Sequence, residues 1–583
     1  MTFAFKKAAK RLSLSRRAVL VSAAVLSMFP GLARSADHGA LDLRLKPHTQ
    51  GGIVVGIEVE EVLHQAPVSR GTPILQMPIV ATLAPSSLED PKTLTVSDAK
   101  GPLSLSIQEE PPDPSNFKQD RRWVADRDTQ GDLHVHYTGH PRVVTPATRP
   151  GPLVDVRTEG AGVYGAMVTL LALPETAWPR RVSLHWVLDE LPPGSRAATS
   201  IGLADRTMVM RRDELEASFF MAGPLNSLPE DGSGSFVVYW ITPPAWDLEG
   251  AADWTRKAYE YFSTFWRHTG LPFRIFMRTT ARFQGGGGGG FNSFIFGNVE
   301  DAPRDPVEAR ELMAHETSHN FIGHTSGDST AGGQWYSEGA DVYYMNLLTY
   351  RAGLMPLDRF ALNMNTLVAE YYENPLSHLS NEEVTRQFFS SHDAEVVPYQ
   401  RGPLYFAVVD ARLREISGGR RRVDELVRPM VDSSFNGQGI TPDLWKGLLR
   451  KALGEAGVKE FEAMMRGDSL DLTADLLGAC FRREPKVYRQ FRPGYRANTE
   501  ELGVRKVSRL VADSPAAEAG VRNGDELLDP EPLATDQSRA DRPFELHVRR
   551  DGQPLIFTFD AWGPRVDGWT YVRTQVPEQD CHL

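Results

Sequence analysis

The stretch that decides the reading runs Asp305-Pro-Val-Glu308-Ala-Arg-Glu-Leu-Met-Ala-His315-Glu316-Thr317-Ser318-His319-Asn-Phe-Ile-Gly323. Asp305 is an N-cap by type, Pro306 suits the first helical position, Glu308 completes a capping box and Gly323 can end the segment. The spacing therefore predicts one helix carrying both histidines in its last turns. Residues four apart share a helix face, so both imidazoles can converge on one ion with Glu316 beside it. Glycines between 327 and 333 allow a reversal, and a second helix is predicted from about Gln334 to Tyr350. It presents Glu338, after eighteen intervening residues, to the open side of the same ion. Two imidazoles and a carboxylate leave one tetrahedral position of a zinc ion for water, the pattern of a catalytic site rather than a closed structural one.

With 15 histidines in 583 residues, a chance His-Glu-x-x-His is expected on the order of a few times in a hundred, before caps and a downstream acid are required. In the metzincin pattern a third His would fall at 325 with Gly at 322, where this chain has Thr325 and Ile322. His324 is thus off by one and reads as a helix-end residue, with a ligand role in place of Glu338 as its alternative. Zinc in such a site polarises a carbonyl and acidifies a water whose proton Glu316 can take and pass to a leaving amine, which is amide hydrolysis. Asp341, one turn past Glu338, is either a residue that orients a ligand histidine or a solvated helix position.

Away from this centre, 41% hydrophobic and 24% charged residues describe a globular chain with material for several cores, not a disordered one. Lys6, Lys7, Lys10, Arg11, Arg16 and Arg17 precede an apolar stretch from Ala18 to Leu32, and Ala33-Arg-Ser35 offers small residues for cleavage. Residues 1–35 are read as an export signal in which Ser15-Arg-Arg-Ala-Val-Leu20 resembles a twin-arginine pattern, with a Sec signal or an uncleaved anchor as the alternatives; export places the chain in the periplasm or outside the cell. Removing that segment takes seven basic residues from a net charge of -11, and -11 - 7 leaves -18. An acidic chain without basic clusters has no electrostatic support for nucleic acid, and no later apolar run is long enough to span a membrane. Cys480 and Cys581 are too few for a disulfide framework or a thiolate metal cluster; in an oxidising compartment they either pair or stay apart.

The expected architecture is multidomain α+β. Short alternating segments such as Gly52-Ile-Val-Val-Gly-Ile-Glu-Val59 and Arg181-Val-Ser-Leu-His-Trp-Val187 predict an antiparallel β domain over 36–242. Trp254, Ala258, Tyr261, Phe262 and Phe265 fall on one face of a helix closed by Gly270 and Pro272, and Leu271 to Arg278 reads as a strand. Helices dominate from 305 to about 465, so 243–495 is read as the mostly helical metal domain and 496–583 as a small β domain.

Taken together, His315-Glu-Thr-Ser-His319, the gap to Trp335-Tyr-Ser-Glu-Gly339, and Pro398-Tyr399-Gln-Arg-Gly-Pro-Leu404 resemble a gluzincin metallopeptidase of the glycyl aminopeptidase family. That family pairs an aminopeptidase N-like, thermolysin-like catalytic domain with a PDZ domain, and the likeness spans roughly 235–583. It implies one zinc ion per chain held by His315, His319 and Glu338, with Glu316 as base, a peptide or protein as substrate, and aminopeptidase specificity as one outcome. Tyr399, followed by Arg401-Gly402 where the family has Lys-Gly, is implied as oxyanion donor, with Tyr405 as its competitor. The run Gly285 to Gly290 with Phe291 matches a Gly-rich edge strand that pairs with substrate, which makes Gly287, Gly288, Gly289, Gly290 and Phe291 candidate substrate contacts; a flexible loop is the plain alternative. The family's amine-holding Glu is missing from 283–298. Leu502, Gly503 and Val504, with Ser514-Pro-Ala-Ala-Glu-Ala-Gly-Val521, resemble a PDZ carboxylate loop and its helix, fit either to capture a peptide or to pack on the catalytic domain. A competing function is a catalytically silent peptide-binding scaffold. Oligomeric state has no signature.

Overall fold

The computed structural model describes residues 39–583 apart from 65, 82–83, 113–117, 144–152, 281–285, 300–304, 324, 326–331, 389–390, 502–503, 529–541 and 582. The export signal, His324 and Gly285 lie outside the described residues. Among those described, no helix is long and apolar enough to cross a membrane.

Among the described residues, the N-terminal unit is built from three sheets. In the largest, seven strands run in the order Arg206–Met210, Arg180–Trp186, Ala40–Gln50, Ile53–Leu63, Leu133–Gly139, Thr95–Asp98 and Gly101–Leu103. Strand alternation sends Leu41, Leu43 and Leu45 into the core while Asp42, Arg44 and Lys46 face outward. The pairing is antiparallel as expected, with one exception: Ala40–Gln50 lies parallel to Arg180–Trp186. No hairpin constrains the relative direction of two strands so distant in sequence.

The second unit opens on a five-stranded sheet ordered Asn226–Leu228, Phe236–Trp240, Phe273–Thr280, Ser293–Val299 and Gly286–Gly290. Its first two strands precede residue 242, so the sheet draws on sequence assigned beforehand to the N-terminal domain. The three central strands are parallel, and the helix Leu248–Trp266 makes the crossover between the first two of them. That helix ends at Arg267 in the left-handed conformation (φ 63°) rather than at Gly270, because the His268 amide closes back on the Ser263 carbonyl at 3.1 Å.

Helices follow, among them Pro306–Ile322, Gln334–Arg351, Leu357–Glu373, Val397–Ser417 and Pro442–Arg466. They share one apolar core with the sheet, in which Trp335 stacks on Phe406 and packs against Trp445 and Phe461.

The C-terminal region is an insertion, not a terminal bead. Strands Phe481–Phe491 and Trp562–Arg573 pair with each other and lie on the helix Leu357–Glu373, where Asn365 bonds both the amide and the carbonyl of Tyr571 at 2.8 Å. Between those two strands sits a separate five-stranded sheet, from Arg496–Glu501 to Gln553–Phe559, with its own core around Val507, Val521, Leu546 and Val548. Residues 562–583 therefore belong to the helical body. Cys480 and Cys581 are joined in a disulfide with Cα atoms 4.8 Å apart, tying the chain end to that body.

Candidate metal centre

Helix Pro306–Ile322 begins at the predicted cap and proline. Asp305 accepts from the Val307 amide at 2.8 Å, Pro306 fills the first turn and Gly323 terminates it at φ 74°. Its last two turns are wholly buried, and the rings of His315 and His319 stand edge-on with centroids 4.7 Å apart. Helix Gln334–Arg351 crosses them. Glu338 Oε2 lies 3.5 Å from His315 Nε2 and 3.3 Å from His319 Nε2. Two ligand atoms on a tetrahedral zinc ion with bonds near 2.0–2.1 Å are about 3.3–3.4 Å apart, so these spacings suit ligands of one ion.

Asp341 offers a rival grouping with the same two histidines, through their Nδ1 edges. Its Oδ2 is 2.6 Å from His315 Nδ1 and its Oδ1 is 3.6 Å from His319 Nδ1. The shorter contact is too tight for two ligands of one ion and is instead an ion-pair contact with the ring, and Asp341 is fully closed to solvent. Asp341 therefore faces the Nδ1 edges of the ligand rings, closely at His315 and more loosely at His319, while the Nε2 edges face Glu338.

The residues present fit a divalent cation. Among the described residues, His315 Nε2 and Glu338 Oε2 are buried without a hydrogen-bond partner, a costly state unless an ion lies between them. Glu316, Glu338 and Asp341 put three carboxylates around two imidazoles. Burial opposes charge on both rings, yet the carboxylates outweigh it: His315 is held well above the usual imidazole range, Asp341 acting most, and His319 is pushed up to about 9. Glu338 is likewise drawn well below the usual carboxylate range by the two imidazoles despite its burial. Burial pushes Glu316 up to about 7 against the pull of His315 and His319.

Tyr399 stands in the first turn of helix Val397–Ser417, with its ring centre 6.4 Å from that of His315. Tyr405 is buried elsewhere and accepts a hydrogen bond from Trp445 Nε1 at 3.0 Å. Arg401 turns from the site and donates to the Ser377 and Leu379 carbonyls at 3.2 and 2.6 Å. What brings this helix to the centre is a glycine crossing that the sequence reading passed over. A Cβ on Gly402 would sit 2.6 Å from Gly339 Cα, and one on Gly339 would sit 2.7 Å from Gly402 Cα. The Glu338 and Tyr399 helices touch backbone to backbone there. The only signal in the sequence was a glycine directly after Glu338 and another three residues after Tyr399.

Gly286–Gly290 is the sheet edge, paired antiparallel with Ser293–Val299. It brings Gly289 to the centre, where an added Cβ would lie 4.0 Å from Glu316 Oε2, whereas a Cβ on Gly287 would strike the Phe294 ring. A Cβ on Gly290 would strike the Ala217 carbonyl at 2.5 Å. Phe291 departs from the expectation of substrate contact. Its ring is packed in the core of the N-terminal unit and its amide bonds the Ala217 carbonyl at 2.9 Å, so it anchors the strand. Leu502 and Gly503 lie outside the described residues; Val504 opens the strand Val504–Ser508.

The fold is that of an aminopeptidase N-like protein: a β unit, then a sheet and helix body carrying the His pair. The aminopeptidase N family protein from Idiomarina loihiensis matches with a TM-score of 0.65 at 14% identity, over 92% of this chain and 98% of that one. At that identity the likeness establishes the fold. An M1 zinc metallopeptidase from Deinococcus radiodurans (16% identity, 76% of this chain, 96% of that one, TM-score 0.44) and native yeast LTA4 hydrolase (12%, 76%, 72%, 0.45) share less of the arrangement. No family model matches the chain, and no curated protein matches its sequence.

Proposed function

We propose that the chain is an exported zinc metallopeptidase that hydrolyses peptide bonds, with one zinc ion held by His315, His319 and Glu338. The observation that carries this reading is the approach of Glu338 Oε2 to the Nε2 atoms of both histidines, at 3.5 and 3.3 Å, beside a buried Glu316. Zinc in such a site lowers the pKa of a water toward about 7 and polarises a carbonyl. Glu316 accepts the proton of the attacking water and returns it to the leaving amine. Asp341 keeps His315 oriented, and the Tyr399 hydroxyl donates to the oxygen on which charge develops. Bare glycines at the sheet edge let an extended substrate pair its backbone beside Glu316. The strand carries no carboxylate to hold a free α-amine, so comparing free with N-blocked peptides separates aminopeptidase from endopeptidase action.

Glu316→Gln tests the reading: it should keep the metal and abolish hydrolysis. Turnover like the wild type's would remove Glu316 as base.

Two further assignments belong to this proposal. The inserted five-stranded module is a PDZ-like domain that takes a peptide C-terminus, tested by binding of free-acid against amidated peptides. The chain is periplasmic or secreted, a reading supported by the Cys480–Cys581 disulfide, which suits an oxidising compartment. A mature N-terminus at Ala36 checks the cleavage position.

A further inference from the structure

A cavity of about 630 Å³ opens where the N-terminal unit meets the ends of strands Phe236–Trp240 and Phe273–Thr280, with Thr242 and Thr279 in its wall. It shares no lining residue with the metal centre. Its floor carries an unusual balance of charge. Asp155, fully buried, is contacted by three guanidiniums: Arg157 Nε at 2.7 Å, Arg278 Nη1 at 3.1 Å and Arg142 Nη1 at 3.2 Å. One carboxylate against three cations leaves two positive charges in excess. Glu159, which also lines the cavity, offsets part of this at most, because burial pushes it up to about 7 even with the Thr279 and Thr242 amides donating to it. Arg157 is 3% exposed, lines the cavity, and has an Nη1 with no hydrogen-bond partner among the described residues. A guanidinium donor withdrawn from water and left unbonded is costly, and an anion removes that cost. The mouth has the opposite character: Ile53, Val55 and Val143 are exposed by 55%, 42% and 82%.

We propose that this cavity binds an organic monocarboxylate on an apolar body, the carboxylate meeting Arg157 and Arg142 and the apolar part lying against Ile53, Val55 and Val143. The volume suits it, since ligand sites run from about 300 to 1,000 Å³. A phosphate, with more charge and no apolar part, would leave the mouth unused and crowd Glu159. The carboxylate can come from a free aliphatic acid or from the C-terminus of an apolar peptide, and the two are separated by experiment.

Calorimetric titration of the full chain with octanoate, octylamine, N-acetyl-leucyl-leucine and its amide tests the proposal. Saturable binding of octanoate or the free-acid peptide, with octylamine and the amide at least tenfold weaker, is expected; whichever acid binds tighter names the source. Arg157→Gln should weaken the acid at least tenfold. Because that buried site bears on folding, Arg142→Gln, on a side chain 23% exposed, and Val143→Asp at the open mouth are the parallel variants, each expected to weaken binding at least fivefold. No saturable binding, equal binding of octylamine, or undiminished binding by both Arg142→Gln and Val143→Asp would overturn it.

Discussion

The crossing of Gly339 and Gly402 allows a sharp test of how the centre is assembled. In Gly402→Ala the new methyl would lie 2.6 Å from Gly339 Cα and 3.0 Å from the Trp335 carbonyl, whereas ordinary contact begins at 3.4 Å. The deficit is about 0.8 Å, and the obstructing atoms are backbone, which cannot swing aside as a side chain would. Neither glycine has a positive φ, so the strain is one of contact alone. The two helices must separate, at a cost of about 1–3 kcal/mol in stability. One helix carries Glu338 and the other Tyr399, so a shift approaching 1 Å also displaces a ligand and the oxyanion donor relative to His315 and His319. Misplacement on that scale costs about 100-fold in rate. The assay is kcat/KM on a peptide substrate beside bound zinc and Tm. Gly447→Ala, on an exposed helix position with nothing within 4 Å of the added methyl, is the control and should be neutral or slightly stabilising. If Gly402→Ala kept both activity and Tm, the crossing would have no part in positioning the centre.

Asp341→Ala should lower zinc affinity about 10–100-fold, read by competition with a chromogenic chelator, because His315 loses the carboxylate 2.6 Å from its Nδ1. Glu61 is fully buried, with Tyr137 donating to Oε1 at 3.0 Å and Oε2 without a partner among the described residues, and burial raises it from 4.5 to about 8. The folded state therefore holds the proton more tightly, so this group's contribution is complete below pH 4.5 and is lost as pH rises through about 8. The swing is roughly 5 kcal/mol, and Glu61→Gln should match the wild type in Tm at pH 5 and exceed it at pH 8.5. Cys581→Ser should lower stability by about 4 kcal/mol, since the disulfide spans 101 residues, and denaturant unfolding with and without reductant reads it. An unchanged midpoint would mean that the last strand holds the chain end without the bond.

The helix from 306 to 322 was legible because its determinants are local. A capping aspartate, a proline in the first turn and a terminal glycine act within a few residues of one another, and the four-residue spacing of His315 and His319 follows from helix geometry alone. The second helix and the outward and inward alternation of the N-terminal strands were legible for the same reason. Tertiary structure alone decided which strands pair in parallel across the N-terminal unit, and where the β module enters the chain. It alone assigned Asp341 to the Nδ1 edges and Glu338 to the Nε2 edges, turned Phe291 into a core residue and gathered three arginines around Asp155. Each of these depends on groups far apart in sequence, whose meeting is set by the packing of whole layers rather than by any local pattern. The glycines at 339 and 402 mark the boundary between the two kinds of information: both were in view, but only the approach of two helices shows why neither position admits a side chain.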